Sequence, residues 1–224
     1  MKTASERCGF FWDLIMDKIG ICGAGLIGAS WAIGFANAGF KCFVYDKSED
    51  SSTKFKSLAN KLIQDLRIIN PEIDEEKINS NIKLNCTIEE ICNDSILVQE
   101  SVLEDLELKK SVFEQLDKLS PENTIIASSS SYLLISKISE LVKHKYRCIN
   151  AHPALPPHIV PFVEVAGGVN TDPKIIKQAV SIYQKAKYAA ITVNKEAEGF
   201  VLNRLQGALL NEAVRLHEGG FASM

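Results

Sequence analysis

The run Lys18-Ile-Gly-Ile-Cys-Gly-Ala-Gly-Leu-Ile-Gly28 most restricts what this chain can fold into. A short apolar segment leads into Gly23-x-Gly25-x-x-Gly28, and a helix-like segment follows. That order suits a strand, a tight turn and a helix N-terminus. In such a turn Gly23 permits the sharp bend, Gly25 lets a pyrophosphate approach the backbone, and Gly28 lets the helix pack closely on the strand. The phosphates would rest on unpaired N–H groups at the positive end of the helix dipole, which makes Gly23, Gly25, Leu26, Ile27 and Gly28 cofactor-binding candidates. Three glycines at this spacing also occur in ordinary strand–helix turns, so the motif alone leaves both readings open.

The next strand, residues 41–45, ends at Asp46, 18 residues beyond Gly28. An acid at this place in a dinucleotide fold accepts hydrogen bonds from the adenosine ribose hydroxyls. It also repels a 2′-phosphate, which favours NAD over NADP, although Lys47 softens this. The plainer reading of Asp46 is an N-cap of the next helix. With the glycines at the right distance, the ribose role becomes the stronger of the two.

Beyond this point short apolar runs alternate with amphipathic ones. Strands are expected at residues 19–23, 41–45, 82–84, 96–99, 124–127, 147–151, 162–166 and 189–193, and helices at 26–38, 49–69, 72–80, 104–119 and 133–142. Residues 87–90 read as a capped helical turn. Thr171 is expected to cap a helix with Pro173 in its first turn. Gly199 opens a last helix from Phe200 to His217. This alternation predicts a doubly wound α/β fold, a Rossmann-type and mostly parallel sheet covered on both faces. Residues 1–17 read as an extension packed through Phe11 and Trp12, 18–198 as the dinucleotide-binding domain, and 199–224 as the start of a second domain.

The 224 residues carry a net charge of −3 with acids and bases interspersed, so no basic stripe points to nucleic acid. The apolar run at residues 10–16 is short and broken by Asp13, which fits neither a signal peptide nor a membrane span. The six cysteines show no zinc-type spacing, no metal site is expected, and a reducing, cytoplasmic setting is the economical reading.

His152 ends a strand at the sheet edge where open α/β sheets bind ligands. Glu164 follows 12 residues on, across a loop holding four of the seven prolines. A loop of that length can bring the two together, and an imidazole held by a carboxylate is a good proton acceptor. The alternative is a histidine that merely caps its strand and a solvent-facing glutamate. Ser131, in the run Ser128–Ser131, reaches the same rim, where its hydroxyl could orient a substrate hydroxyl or satisfy its own loop. His158 is expected to be exposed, and His144 and His217 to lie on helix surfaces.

These residues resemble the 3-hydroxyacyl-CoA dehydrogenase superfamily, and most closely its λ-crystallin/L-gulonate 3-dehydrogenase branch. The likeness runs through Gly23–Ala32, Gln99–Lys110, Ser128–Ser131, Ala151-His-Pro153, Val163-Glu164 and Gly199–Gln206. It implies NAD as cofactor, His152 as catalytic base, Glu164 as its partner, Ser131 on the reacting hydroxyl and Asn203 helping to place substrate. It puts Glu100 and Lys109 near the nicotinamide end. The implied reaction oxidises the 3-hydroxyl of a small L-3-hydroxyacid such as L-gulonate by hydride transfer. A 3-hydroxyacyl-CoA substrate is an alternative, against which Ser128–Ser131 argues, since the CoA branch usually reads Ser-Asn-Thr-Ser there. A non-catalytic NAD-binding or structural crystallin-like role is another. Two departures stand out. Leu155 replaces an asparagine that the family places three residues after the histidine. The all-α second domain, which closes the cleft and forms the family's homodimer, is represented by its first helix alone, an expectation of impaired activity and of an exposed apolar stripe through Val201, Leu202, Leu205, Leu209, Leu210 and Val214.

Overall fold

The computed structural model describes residues 17–223. Apart from Asp17, the N-terminal extension and the packing expected of Phe11 and Trp12 lie outside the described residues. Eight strands form one sheet: β1 (Lys18–Cys22), β2 (Lys41–Tyr45), β3 (Ile82–Lys83), β4 (Ser95–Glu100), β5 (Ile125–Ser128), β6 (Cys148–Pro153), β7 (Phe162–Gly167) and β8 (Ala189–Val193). Their order is β3-β2-β1-β4-β5-β6-β7-β8, so the chain reverses direction across the sheet between β1 and β4. Ligands of open α/β sheets bind at that reversal, beyond the carboxyl ends of the strands.

The helices are α1 (Leu26–Asn37), α2 (Ser51–Ile69), α3 (Glu75–Ser80), α4 (Ile88–Cys92), α5 (Leu106–Leu119), α6 (Ile135–Ile138), α7 (Pro173–Lys185) and α8 (Phe200–Glu218). The strands' two-residue period divides the core. Ile19, Ile21, Leu97, Ile125, Ala127, Ile149 and Val163 pack with α1, α2 and α7 on one face. Val98, Ile126 and Cys148 pack with α4, α5 and α6 on the other. No described helix is long and apolar enough to cross a membrane.

The sheet is mostly parallel, as the alternation predicts, with β7 antiparallel to β6, because the proline-rich segment between them is a loop and not a crossover helix. The structure departs from the sequence reading in four finer places. The helix expected at 133–142 shrinks to Ile135–Ile138, where Asn150 accepts from Ile135 N–H and donates to the Leu133 carbonyl, pinning the entry to the turn. Asp172, not Thr171, caps α7, while the Thr171 hydroxyl accepts from Gly168 N–H and donates to the Cys148 carbonyl. His158 is buried, its Nδ1 3.2 Å from Ser30 Oγ on α1. His144 lies before a 3₁₀ turn, half-buried beside Asp117, whereas His217 is exposed on α8.

Candidate active site

The glycine turn joins β1 to α1 as the motif requires. Gly23 sits at φ +104°, and a Cβ there would lie 2.6 Å from the Ser101 carbonyl oxygen. A Cβ on Gly28 would lie 1.9 Å from the Gly23 carbonyl oxygen. Both positions therefore exclude a side chain. Gly25 is different: nothing lies within 4 Å of where its Cβ would be, and no side chain caps α1 there. The open space at Gly25 and the uncapped N–H groups of Leu26, Ile27 and Gly28 are what a phosphate needs.

Asp46 does not cap α2, whose N-cap is Asp50. Its Oδ2 accepts from Ala24 N–H at 2.8 Å and its Oδ1 from Ser48 N–H at 2.9 Å, which holds the carboxylate beside the glycine turn. Gly23, Gly25, Asp46, Ile88 and Val102 line a cavity of about 430 Å³, a size that suits an adenosine. A second cavity of about 290 Å³ shares Ser101 and Val102 with the first and continues past Ile27, Lys109 and Ser131 to Pro153 and Leu155. The two form a path along the carboxyl edge of the sheet, from β2 across to β6. On these observations the residues present fit NAD, with its adenosine beside Asp46 and its phosphates at Gly25.

Strand register makes the polar pair at the far end. His152 on β6 stands opposite Glu164 on β7, so both side chains leave the same face of the sheet. His152 Nδ1 lies 2.8 Å from Glu164 Oε2, and both side chains are buried. The other oxygen, Oε1, accepts from the N–H groups of Val201 (3.0 Å) and Leu202 (2.9 Å), in the first turn of α8. Gly199 (φ +76°) and Phe200 (φ +45°) swing the chain so that these N–H groups meet the carboxylate. The Phe200 ring stacks on the imidazole with centroids 5.3 Å apart. An ionised Glu164 can only accept, so the imidazole donates from Nδ1 to Oε2 and leaves Nε2 to accept a proton.

Asn203 Nδ2 donates to the Ser131 carbonyl at 3.4 Å, which joins α8 to the wall of the second cavity. Lys109 and Glu100 form a buried ion pair at 2.6 Å, and Glu100 also accepts from Val102 N–H and Ser128 Oγ. Burial pushes the Glu100 carboxyl up, against the pull of Lys109 and these donors. Sequence reasoning missed Glu104, which lies 3.3 Å from Lys109 and lines the second cavity, and Ser129, which lines the same wall. Glu104 precedes α5, within the Gln99–Lys110 stretch that carries the family likeness, but nothing local in the sequence distinguishes it from the neighbouring acids. Among the described residues no cluster of histidine, cysteine and carboxylate side chains could hold a metal ion.

A glycine turn, an acid at the end of the second strand and a buried His–Glu pair at the far end of one continuous path define an NAD-binding domain of dehydrogenase type. Comparison with known proteins gives the family. Residues 18–197 match the family model described as 3-hydroxyacyl-CoA dehydrogenase, NAD binding domain, and the chain belongs to that family. It is 38% identical over 206 residues to a lambda-crystallin homolog of Rattus norvegicus, covering 91% of this chain and 65% of that protein. It is 32% identical over 207 residues to an L-carnitine dehydrogenase of Streptomyces griseus, covering 92% of this chain and 61% of the relative. The solved (S)-3-hydroxybutyryl-CoA dehydrogenase of Ralstonia eutropha superposes with a TM-score of 0.83 at 26% identity, covering 93% of this chain and 74% of that one. The chain therefore spans less than two thirds of the length of these curated relatives.

Proposed function

We propose that this chain carries the cofactor site and the base of an NAD-dependent dehydrogenase that oxidises the 3-hydroxyl of a small L-3-hydroxyacid of L-gulonate type. Residues 18–198 form its cofactor domain, and residues 199–224 open the next. The observation that carries the reading is the buried His152–Glu164 pair, 2.8 Å apart, at the far end of the path that begins at Gly25 and Asp46.

Bound NAD supplies the hydride acceptor. The chain's own residues supply the rest. Glu164 fixes the imidazole tautomer and steadies the imidazolium that forms when Nε2 takes the hydroxyl proton. The Ser131 hydroxyl orients the substrate hydroxyl, and Asn203 holds the Ser131 backbone in place. The Glu100–Lys109 pair, with Glu104 beside it, sets the charge at the nicotinamide end. Leu155 lines this end with an apolar side chain where the resemblance leads one to expect an amide, so the substrate loses one hydrogen-bonding partner there.

The test has two steps. NADH is titrated by fluorescence, and NAD reduction is then assayed with L-gulonate, L-carnitine and 3-hydroxybutyryl-CoA. Turnover of L-gulonate is expected, and His152→Ala should lower it by about 10²–10⁴-fold while leaving NADH affinity unchanged. Binding without turnover of any of the three would replace the enzyme by a non-catalytic NAD-binding protein. Turnover of the thioester alone would move the substrate to the acyl-CoA class.

A further inference from the structure

A chain of hydrogen bonds, buried at its Tyr183 end and part-buried at its Ser101 end, runs from α7 through β4 to the wall between the two cavities, and its direction can be worked out donor by donor. The Tyr183 hydroxyl, fully buried, makes one hydrogen bond among the described residues, to Gln99 Oε1 at 2.5 Å. A buried phenol needs an acceptor for its proton, so the amide of Gln99 presents its oxygen to Tyr183 and its nitrogen to the other side. There Gln99 Nε2 donates to Ser129 Oγ at 2.8 Å. The indole Nε1 of buried Trp31 can only donate, and it donates to the same oxygen at 3.1 Å. Ser129 Oγ has now filled both its lone pairs and can only give its own proton. Its remaining neighbour is Ser101 Oγ, 2.8 Å away. Ser101 is therefore the acceptor of that bond, and its own proton is left to give.

Ser101 stands on the wall shared by the two cavities, and its backbone lies against Gly23. This inference rests on the NAD-binding reading of that path. We propose that Ser101 is a cofactor-binding residue whose hydroxyl the Tyr183–Gln99–Ser129 chain, with Trp31, holds as a donor to an acceptor oxygen in the central part of NAD, between its adenosine and nicotinamide ends. A free serine hydroxyl accepts or donates as its ligand demands. Here the Ser129 proton already occupies one lone pair of Ser101, so the Ser101 proton is not spent on Ser129 and is available to a ligand oxygen.

The experiment titrates the full chain and its Ser101→Ala and Ser101→Cys variants with NADH, ADP-ribose and AMP, with thermal unfolding of each variant alongside. Loss of one donor should weaken NADH and ADP-ribose by about tenfold in Ser101→Ala. AMP, which lacks the second half of the molecule, should bind as before, and the melting temperature should fall only slightly, because half-buried Ser129 loses one acceptor that water can replace. Ser101→Cys keeps the volume but donates weakly, so it should resemble Ser101→Ala and not the wild type. Equal NADH affinity in the wild type and Ser101→Ala overturns the proposal. So does wild-type affinity in Ser101→Cys, since the position would then need only volume, or an equal loss for AMP, since the effect would then be structural. If the wild type binds none of the three ligands, the NAD reading of the path falls and takes this proposal with it.

Discussion

At the scale of single residues, one carboxylate has two duties. Glu164 orients His152 with one oxygen and receives two backbone N–H groups with the other, and substitutions separate these roles. Glu164→Gln keeps an oxygen for the backbone but removes the charge that steadies the imidazolium, so turnover should fall about 10²–10⁴-fold with little change in melting temperature. Glu164→Ala should in addition destabilise by about 1–3 kcal/mol, because two N–H groups lose their acceptor. Denaturant unfolding of the two variants, read against steady-state kinetics, distinguishes them. His158 makes a different prediction. Burial holds its pKa below the ordinary 6.5, against the opposing pull of Asp65, whose Oδ2 lies 3.9 Å from Nε2; Lys77 and Lys187 line a surface cavity that His158 also borders. On acidification the unfolded chain therefore takes up this proton before the folded chain does. The contribution is constant above pH 6.5 and is lost as pH falls from there through the lowered folded value. His158→Asn should flatten that part of the stability–pH curve, and urea midpoints measured from pH 8 to pH 5 will show whether it does.

At the scale of elements, the three glycines of the turn make three different demands, and two of them give opposite outcomes. Gly28→Ala places a methyl 1.9 Å from the Gly23 carbonyl oxygen, so the turn must shift, and both the melting temperature and NADH binding should fall. Gly25→Ala meets no atom and keeps an ordinary φ of −71°, so the fold should stand while NADH affinity drops. Melting curves paired with NADH titration check both. The same turn shows why much of the fold was legible. Gly23-x-Gly25-x-x-Gly28 and Asp46 are local signals, set by backbone sterics and by distance along the chain. The capping box at Thr87 and Glu90 is local too, and it forms. What the sequence could not show is set by partners far along the chain. The segment 133–142 reads as helical, yet Asn150 on β6 decides where the helix begins. His158 sits in a proline-rich loop between two strands, yet Ser30 of α1 receives it in the interior. The pairing of His152 with Glu164 needed the antiparallel register of β6 and β7, which spacing permits but does not specify. Ser101 and Ser129 carry no pattern at all, since their directionality exists only once Trp31, Gln99 and Tyr183 surround them.

At the scale of the whole molecule, α8 is the element least absorbed by the fold. Of its residues only Phe200 is buried, while Val201, Leu205, Leu209, Leu210 and Leu216 are exposed. An apolar row of that length on a helix favours association. The chain should therefore sediment with a concentration-dependent average mass, and Leu205→Glu with Leu209→Glu should return it to a monomer in sedimentation velocity without altering NADH affinity. A homodimer held through this helix is the assembly that such a result would support. The start of the same helix is tied to the sheet through the carboxylate that serves the imidazole. A proton arriving on His152 changes the electron density on Glu164, and with it the strength of the bonds to the amides of Val201 and Leu202. Those two amides are accordingly built-in reporters: their chemical shifts should follow the charge of a buried histidine some fifty residues earlier in the chain, and any displacement of α8 will register first in how fast their hydrogens exchange with water.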